Sequence, residues 1–303
     1  MRELVFVHGR AQQQKDAVAL KREWVAAWDA GLAKSGLRRA IPEDRIRFPY
    51  YGDTLHDLVH GVAPDRVAEI VVRGAGAAPN PEERRAIVEQ LDEARRRLGV
   101  SDAEVQAEAE AALRARGEPV VVERGPQNWG WVQALLSVID RRVPGGSAAS
   151  IALVTRDVFK YLTNPGLRDI IESGVRQAMT PGVESVVVGH SLGSVVAYNL
   201  LQRDGATLGW RVPLFVTVGS PLAVTDIRVR VGPPRHPACA GAWFNAMDPD
   251  DVVSLYPLDE RHFPGVRPPI ENKTDVDNRT PNQHGIAGYL SDADVARRIH
   301  DAL

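Results

Sequence analysis

The sequence holds one cysteine, Cys239, so it offers no internal disulfide and suits a reducing compartment. It lacks any apolar run of the roughly 18 residues that a membrane-spanning helix needs. Its first apolar run, Leu-Val-Phe-Val at residues 4–7, follows no basic and apolar leader of the kind that directs secretion. From these absences we predict a cytoplasmic protein without a transmembrane segment.

An excess of charge of either sign is also missing. The 37 Lys and Arg residues nearly balance 39 Asp and Glu residues, for a net charge of −2 with histidine neutral. This balance gives no reason to expect nucleic acid or an anionic membrane as a partner. Hydrophobic residues make up 44% of the chain and charged residues 25%, ordinary values for a globular protein with a sizeable core.

Short apolar runs alternate with helical patterns near both ends of the chain. A helical pattern separates the first two runs, and the alternation resumes after residue 180. Such alternation predicts an α/β fold with a mostly parallel central sheet flanked by helices. The predicted strands are residues 4–7, 45–48, 185–188, 214–218 and 242–247.

The middle of the chain departs from this alternation, because helical patterns follow one another there without a convincing strand. We therefore predict that residues 1–60 and 180–303 form the sheet-containing core and that residues 61–179 form a large helical insertion or cap. Residues 257–282 are rich in Pro, Asp and Asn and are expected to form a long ordered loop. Residues 292–303 are expected to form a closing helix.

The sequence Gly189-His190-Ser191-Leu192-Gly193 lies between a valine-rich strand and an apolar helix. It fits the nucleophile elbow, a sharp strand-to-helix turn that exposes a serine hydroxyl and leaves the following N–H free to bind an anion. A glycine-rich turn with an inert serine is the alternative, since the bare pattern occurs often by chance. The position between strand and helix favours a nucleophilic Ser191.

Further motifs stand in order around this turn. Val7-His8-Gly9 ends the first strand, Gly219-Ser220-Pro221 ends the strand after the turn, an aspartate cluster follows the next strand, and His284 lies near the C-terminus. Over residues 1–60 and 180–303 the chain resembles α/β-hydrolases of the lipase and esterase type. The resemblance implies an α/β-hydrolase fold and an acyl-enzyme mechanism. The helical insertion, earlier in the chain than many lids of this family, departs from the pattern.

A serine nucleophile needs a base that takes its proton and a carboxylate that orients the base. In α/β-hydrolases these follow the chain order Ser, Asp or Glu, His. His284, in the loop before the closing helix, is the predicted base, with His262 as the alternative. Asp248, Asp250 and Asp251 are the candidate acids, and the lipase-like Asp-x-Val pattern favours Asp250, then Asp248.

An oxyanion hole requires two donors, for which we predict the backbone N–H groups of Leu192 and Arg10. Tyr50 and Tyr51 follow the second strand and are predicted to bind substrate, because open α/β sheets bind ligands at the carboxyl ends of their strands. Trp129 begins an apolar helical stripe that suits an acyl pocket, although such stripes also pack on one another or on a sheet. We expect neither a metal nor a cofactor.

These features together predict a serine hydrolase that cleaves small-molecule carboxylic esters of a lipid-like kind. A thioesterase or an amidase would use the same residues on the same fold, because the fold does not fix the substrate. A non-catalytic binding protein on a hydrolase scaffold is the alternative from another class.

Overall fold

The computed structural model describes residues 2–9, 16–51, 80–117, 120, 122–143, 148–281 and 283–303, and for Trp129 the backbone only. In this part of the chain six strands form one sheet, in which every neighbouring pair is parallel. Their order across the sheet is β2-β1-β3-β4-β5-β6. The strands are β1 (Glu3–Val7), β2 (Ile46–Arg47), β3 (Ser185–His190), β4 (Val212–Val218), β5 (Ala240–Ala246) and β6 (Glu271–Lys273).

The sheet confirms the predicted α/β fold and also contains a strand that the sequence did not indicate. All residues of β1 and β3 are buried, as expected for parallel strands covered on both faces. β6 lies inside the segment predicted as a loop. Its sequence, Glu-Asn-Lys, has no apolar residue, and among the described strands only β5 pairs with it. A short polar edge strand of this kind leaves no hydrophobic pattern in a sequence.

Ten helices flank the sheet within the described residues, and none of these helices is long and apolar enough to cross a membrane. Most of the longer helices begin at an Asp, Asn or Ser whose side chain accepts an N–H from the first turn. The helices are α1 (Ala17–Lys34), α2 (Pro81–Arg97), α3 (Asp102–Ala115), α4 (Trp129–Arg142), α5 (Ala148–Thr163), α6 (Pro165–Ala178), α7 (Leu192–Leu200), α8 (Thr225–Val231), α9 (Ile286–Leu290) and α10 (Ala293–His300).

Each face of the sheet has its own apolar core. Leu4 and Phe6 of β1 pack with α1, α9 and α10 on one face, whereas Val5 and Val7 pack on the other face with α2 to α7. The helices between residues 81 and 178 therefore share one continuous core with the sheet. The division into residues 1–60 with 180–303 and residues 61–179 stays a prediction, and residues 52–79 lie outside the described residues.

Two helical glycines provide a matched test of the packing around α1. A Cβ atom added to Gly31 of α1 would lie 2.4 Å from Leu290 O and 2.7 Å from Ala296 Cβ, whereas one added to Gly174 of α6 would meet no atom within 4 Å. We expect Gly31→Ala to lower the free energy of unfolding by about 1–3 kcal/mol through overpacking. Gly174→Ala should raise it by about 0.5–1 kcal/mol, because alanine loses less entropy in a helix.

Urea denaturation followed by circular dichroism measures both changes. A stabilising Gly31→Ala substitution would show that α1 does not approach α9 and α10 as closely as described.

Candidate active site

Ser191 connects β3 to α7 in a strained backbone conformation, with φ 54° and ψ −128°. Residues with a side chain rarely adopt a positive φ, and those that do persist only where the surrounding structure holds them. Here the Ser191 N–H donates to Val218 O at 3.2 Å, and the Ser194 N–H donates to Ser191 O at 2.9 Å. Strain held in this way is typical of functional turns.

Two glycines let this turn approach the end of β1. A Cβ atom on Gly193 would lie 2.1 Å from Val7 O and 2.5 Å from His8 O. A Cβ atom on Gly9 would lie 2.8 Å from Ser191 Cβ. Larger residues at these positions would push the two segments apart. Gly9 and Gly193, which both belong to motifs recognised in the sequence, are thus required by close packing.

The Ser191 hydroxyl contacts His284, in the loop before α9. His284 Nε2 lies 2.8 Å from Ser191 Oγ, and His284 Nδ1 lies 2.8 Å from Asp251 Oδ2. An ionised carboxylate only accepts hydrogen bonds, so Nδ1 carries the ring proton and Nε2, which carries none, can accept the serine proton. All three side chains are buried. The arrangement can transfer a proton from serine to histidine and hold the resulting imidazolium.

The carboxylate that contacts His284 belongs to Asp251, which corrects the prediction of Asp250. Asp250 is exposed, and its N–H donates to Asp248 Oδ1 at 2.7 Å in the turn after β5. The next residue, Asp251, faces inward. Asp248, the second choice, accepts through Oδ2 from the Asn278 N–H at 2.6 Å, and burial raises the pKa of its carboxyl group. Asp248 therefore supports the loop that carries His284.

The Asp251 carboxylate has donors on both oxygens. Oδ2 accepts from the Tyr289 hydroxyl at 2.5 Å and from Ser254 Oγ at 2.9 Å, and Oδ1 accepts from the Val253 N–H at 2.8 Å. Burial alone would raise the pKa of Asp251, but the charge and hydrogen bond of His284, with the other donors, hold that pKa below its ordinary value. Asp251 therefore stays ionised beside His284.

Side chains that the sequence analysis did not single out hold the His284 loop. Besides its N–H bond to Asp248, Asn278 donates through Nδ2 to Gly285 O at 2.8 Å. The Gly285 N–H donates to Thr280 Oγ1 at 2.9 Å. Asn and Asp favour such local bonds to the backbone, and their abundance in residues 257–282 was the available signal. The bond from Asn278 to Asp248, 30 residues earlier in the chain, could not be seen in the sequence.

Two other histidines lie close to the site and are bonded to backbone. His190 Nε2 donates to His284 O at 2.8 Å, and burial lowers the pKa of His190 to about 3. His8 Nε2 accepts from the Tyr51 N–H at 3.1 Å, so Nδ1 donates to Gly9 O at 2.8 Å. Burial lowers the pKa of His8 to about 4. Both rings are neutral at neutral pH and brace the segments around Ser191.

The alternative base, His262, contacts other side chains and not Ser191. Its Nδ1 lies 2.8 Å from Asp259 Oδ1, and its ring stacks on Tyr256 with centroids 4.6 Å apart. The histidine at the serine is His284.

The residues predicted to bind substrate have different surroundings in the structure. Tyr51 is buried, stacks on His8 with ring centroids 3.9 Å apart, and donates its hydroxyl to His8 O. Its hydroxyl is thus engaged by the residue after β1, and contact between Tyr51 and a substrate stays a prediction. Tyr50 is half-buried, with its ring centroid 5.5 Å from that of His8. The side chain of Trp129 lies outside the described residues.

Of the two predicted oxyanion donors, one can be located. Leu192 is the first residue of α7, where a backbone N–H has no acceptor inside the helix. Arg10 lies outside the described residues. In the described parts of the chain, no group of three or more His, Cys, Asp or Glu side chains is arranged to hold a metal ion.

Comparisons of the chain with protein-family models, with curated proteins and with solved structures found no match. The parallel α/β sheet is compatible with an α/β-hydrolase fold and is not specific to it. The class defined by fold and site is thus an α/β protein with a hydrogen-bonded Ser191–His284–Asp251 chain at the turn after β3.

The strain at Ser191 can be measured by comparing two substitutions. Both Ser191→Gly and Ser191→Ala remove the hydroxyl, but only glycine adopts this φ and ψ without a steric penalty. We expect Ser191→Gly to be more stable than Ser191→Ala by about 1–2 kcal/mol, the usual cost of such a conformation. Equilibrium urea denaturation gives the difference. Equal stability of the two variants would contradict a strained turn.

Proposed function

We propose that this protein is a serine hydrolase of the α/β-hydrolase type that cleaves carboxylic esters through an acyl-enzyme on Ser191. The observation that carries the proposal is the pair of 2.8 Å contacts from His284 to Ser191 Oγ and to Asp251 Oδ2. The strained turn that presents Ser191 supports it independently.

In the proposed reaction, Ser191 Oγ attacks the ester carbonyl carbon while His284 Nε2 takes the hydroxyl proton. Asp251 stays ionised and stabilises the imidazolium. When the tetrahedral intermediate collapses, the bond to the alkoxide breaks, and His284 gives its proton to the leaving alcohol. Water then attacks the acyl-enzyme with His284 again as base, and the carboxylic acid leaves as Ser191 regains its proton.

The negative charge that develops on the carbonyl oxygen needs donors in place before the reaction. We assign one donor to the Leu192 N–H, at the first position of α7, where the helix dipole also favours negative charge. The second proposed donor is the Arg10 N–H, after the end of β1. Gly9, which packs against Ser191, brings that end of β1 to the turn.

The proposed substrates are small esters with apolar, lipid-like acyl groups. Helices α5 and α6 contact α7, the helix that begins at the proposed nucleophile, and their buried side chains are mainly apolar. Thioesters and amides would react at the same groups. A panel of p-nitrophenyl esters, acyl thioesters and anilides of matched acyl length separates these substrate classes.

A fluorophosphonate probe tests the proposed nucleophile, because it reacts with activated serines. We expect stoichiometric labelling of the wild-type protein at Ser191, and none in Ser191→Ala. Ser173→Ala, on the exposed side of α6, should label like the wild type. Peptide mass spectrometry locates the adduct. If folded protein resists several such probes, the proposal fails.

Substitution of two neighbouring aspartates tests which of them is the acid of the proposed triad. Asp251→Asn leaves an amide beside His284 Nδ1 and favours the wrong ring tautomer, so kcat should fall about 10³–10⁴-fold. Asp250→Asn changes an exposed side chain and should leave kcat within about twofold. Initial rates on a p-nitrophenyl ester measure both. If kcat fell further in Asp250→Asn than in Asp251→Asn, Asp251 could not be the acid of the triad.

A further inference from the structure

We propose that Tyr289 is a positioning residue that shares Asp251 Oδ2 with His284 and thereby weakens the attraction of that carboxylate for the His284 imidazolium. The inference rests on the proposed function in taking His284 as the base. Its first observation is geometric. The Tyr289 hydroxyl donates to Asp251 Oδ2 at 2.5 Å, and this oxygen also accepts from His284 Nδ1 at 2.8 Å.

The Tyr289 ring is held on several sides. It is fully buried, and its hydroxyl accepts from the Asp248 N–H at 3.3 Å. It also packs on Gly219, whose φ is +56°. A Cβ atom on Gly219 would lie 2.9 Å from Tyr289 Cε2 and 3.2 Å from both His284 Cε1 and His284 Nδ1. The two rings thus pack on the same bare backbone and face the same carboxylate oxygen.

An oxygen that accepts several hydrogen bonds attracts an imidazolium less strongly than one that accepts a single bond. Ser254 Oγ is a third donor to Oδ2, at 2.9 Å. Hydrogen bonds from a hydroxyl to an ionised oxygen are strong and draw charge from it. Burial and the nearby Asp251 charge raise the pKa of Tyr289 well above its usual range, so the hydroxyl keeps its proton and stays a donor. Asp251 then stabilises protonated His284 less than an unshared carboxylate would.

The other titratable groups around this pair do not supply the same effect. His190, at the end of β3, faces His284, and His8, the residue after β1, interacts with His190, but burial lowers the pKa values of His190 and His8 to about 3 and about 4. Both are neutral where His284 must act. Asp248, from the turn after β5, lies near Asp251, and burial raises its pKa. Tyr289 is the group that α9 contributes to the carboxylate.

Tyr289→Phe tests the proposal without changing the ring. The histidine ring signals of isotope-labelled protein are followed by NMR against pH, with His284 assigned by its loss in His284→Gln. We expect the midpoint of the His284 titration to rise by about 0.5–1 pH unit, because Asp251 would then attract the imidazolium more strongly. The acid limb of the kcat/KM profile should rise equally, so the variant loses activity at a higher pH than the wild type.

Tyr161→Phe is the matched control. Tyr161 is also fully buried, and its hydroxyl donates to the buried Glu172 Oε1 at 2.8 Å on α5 and α6. This control should lose comparable stability and leave the His284 titration unchanged. Ser254→Ala, which removes another donor from Oδ2, should give a smaller shift in the same direction and serves if Tyr289→Phe does not fold.

A His284 titration in folded Tyr289→Phe or Ser254→Ala that matches the wild type would overturn the proposal. The NMR measurement needs no substrate, so it separates this inference from the proposed function. A shifted titration in a protein that takes no fluorophosphonate label would refute the hydrolase and retain the shared carboxylate.

Discussion

A buried carboxylate is the constraint on which the site depends. Asp251 is ionised without solvent contact, and burying a charge costs several kcal/mol unless its lone pairs find donors. Three separate segments supply those donors, namely the turn after β5, the loop with His284, and α9 with Tyr289. Because these donors must all reach one carboxylate, Asp251 fixes the relative positions of segments some 40 residues apart.

The parallel sheet brings those segments together at one edge. Because all six described strands run in the same direction, the turns after β1, β3, β4 and β5 leave from the same side of the sheet. Close approach there requires small residues. Gly193 contacts the end of β1, and Gly219, after β4, contacts both His284 and Tyr289. Side chains at these positions would separate Ser191 from His284 without altering any polar group.

The apolar pattern and the order of motifs along the chain were enough to predict the strands and the turn at Ser191. They were not enough to choose between two adjacent residues of the same type. Buried strands are apolar, and the turn at Ser191 has its own pattern, so both could be recognised. Asp250 and Asp251 are adjacent in a turn, and only the fold shows which one faces inward: Asp251 is buried against His284, whereas Asp250 is exposed. Tyr289 leaves no signal either, since a tyrosine in an apolar helix is equally typical of a core.

The histidines show how environment, not residue type, assigns a role. His8, His190 and His284 all lie at the same edge of the sheet, but burial lowers the pKa values of the first two, and backbone atoms engage them. His284 instead joins a carboxylate on one nitrogen to a serine hydroxyl on the other. The order of the residues along the chain and the hydrogen bonds of the fold select the same residue through independent arguments. That agreement is the strongest support for treating His284 as the proposed base.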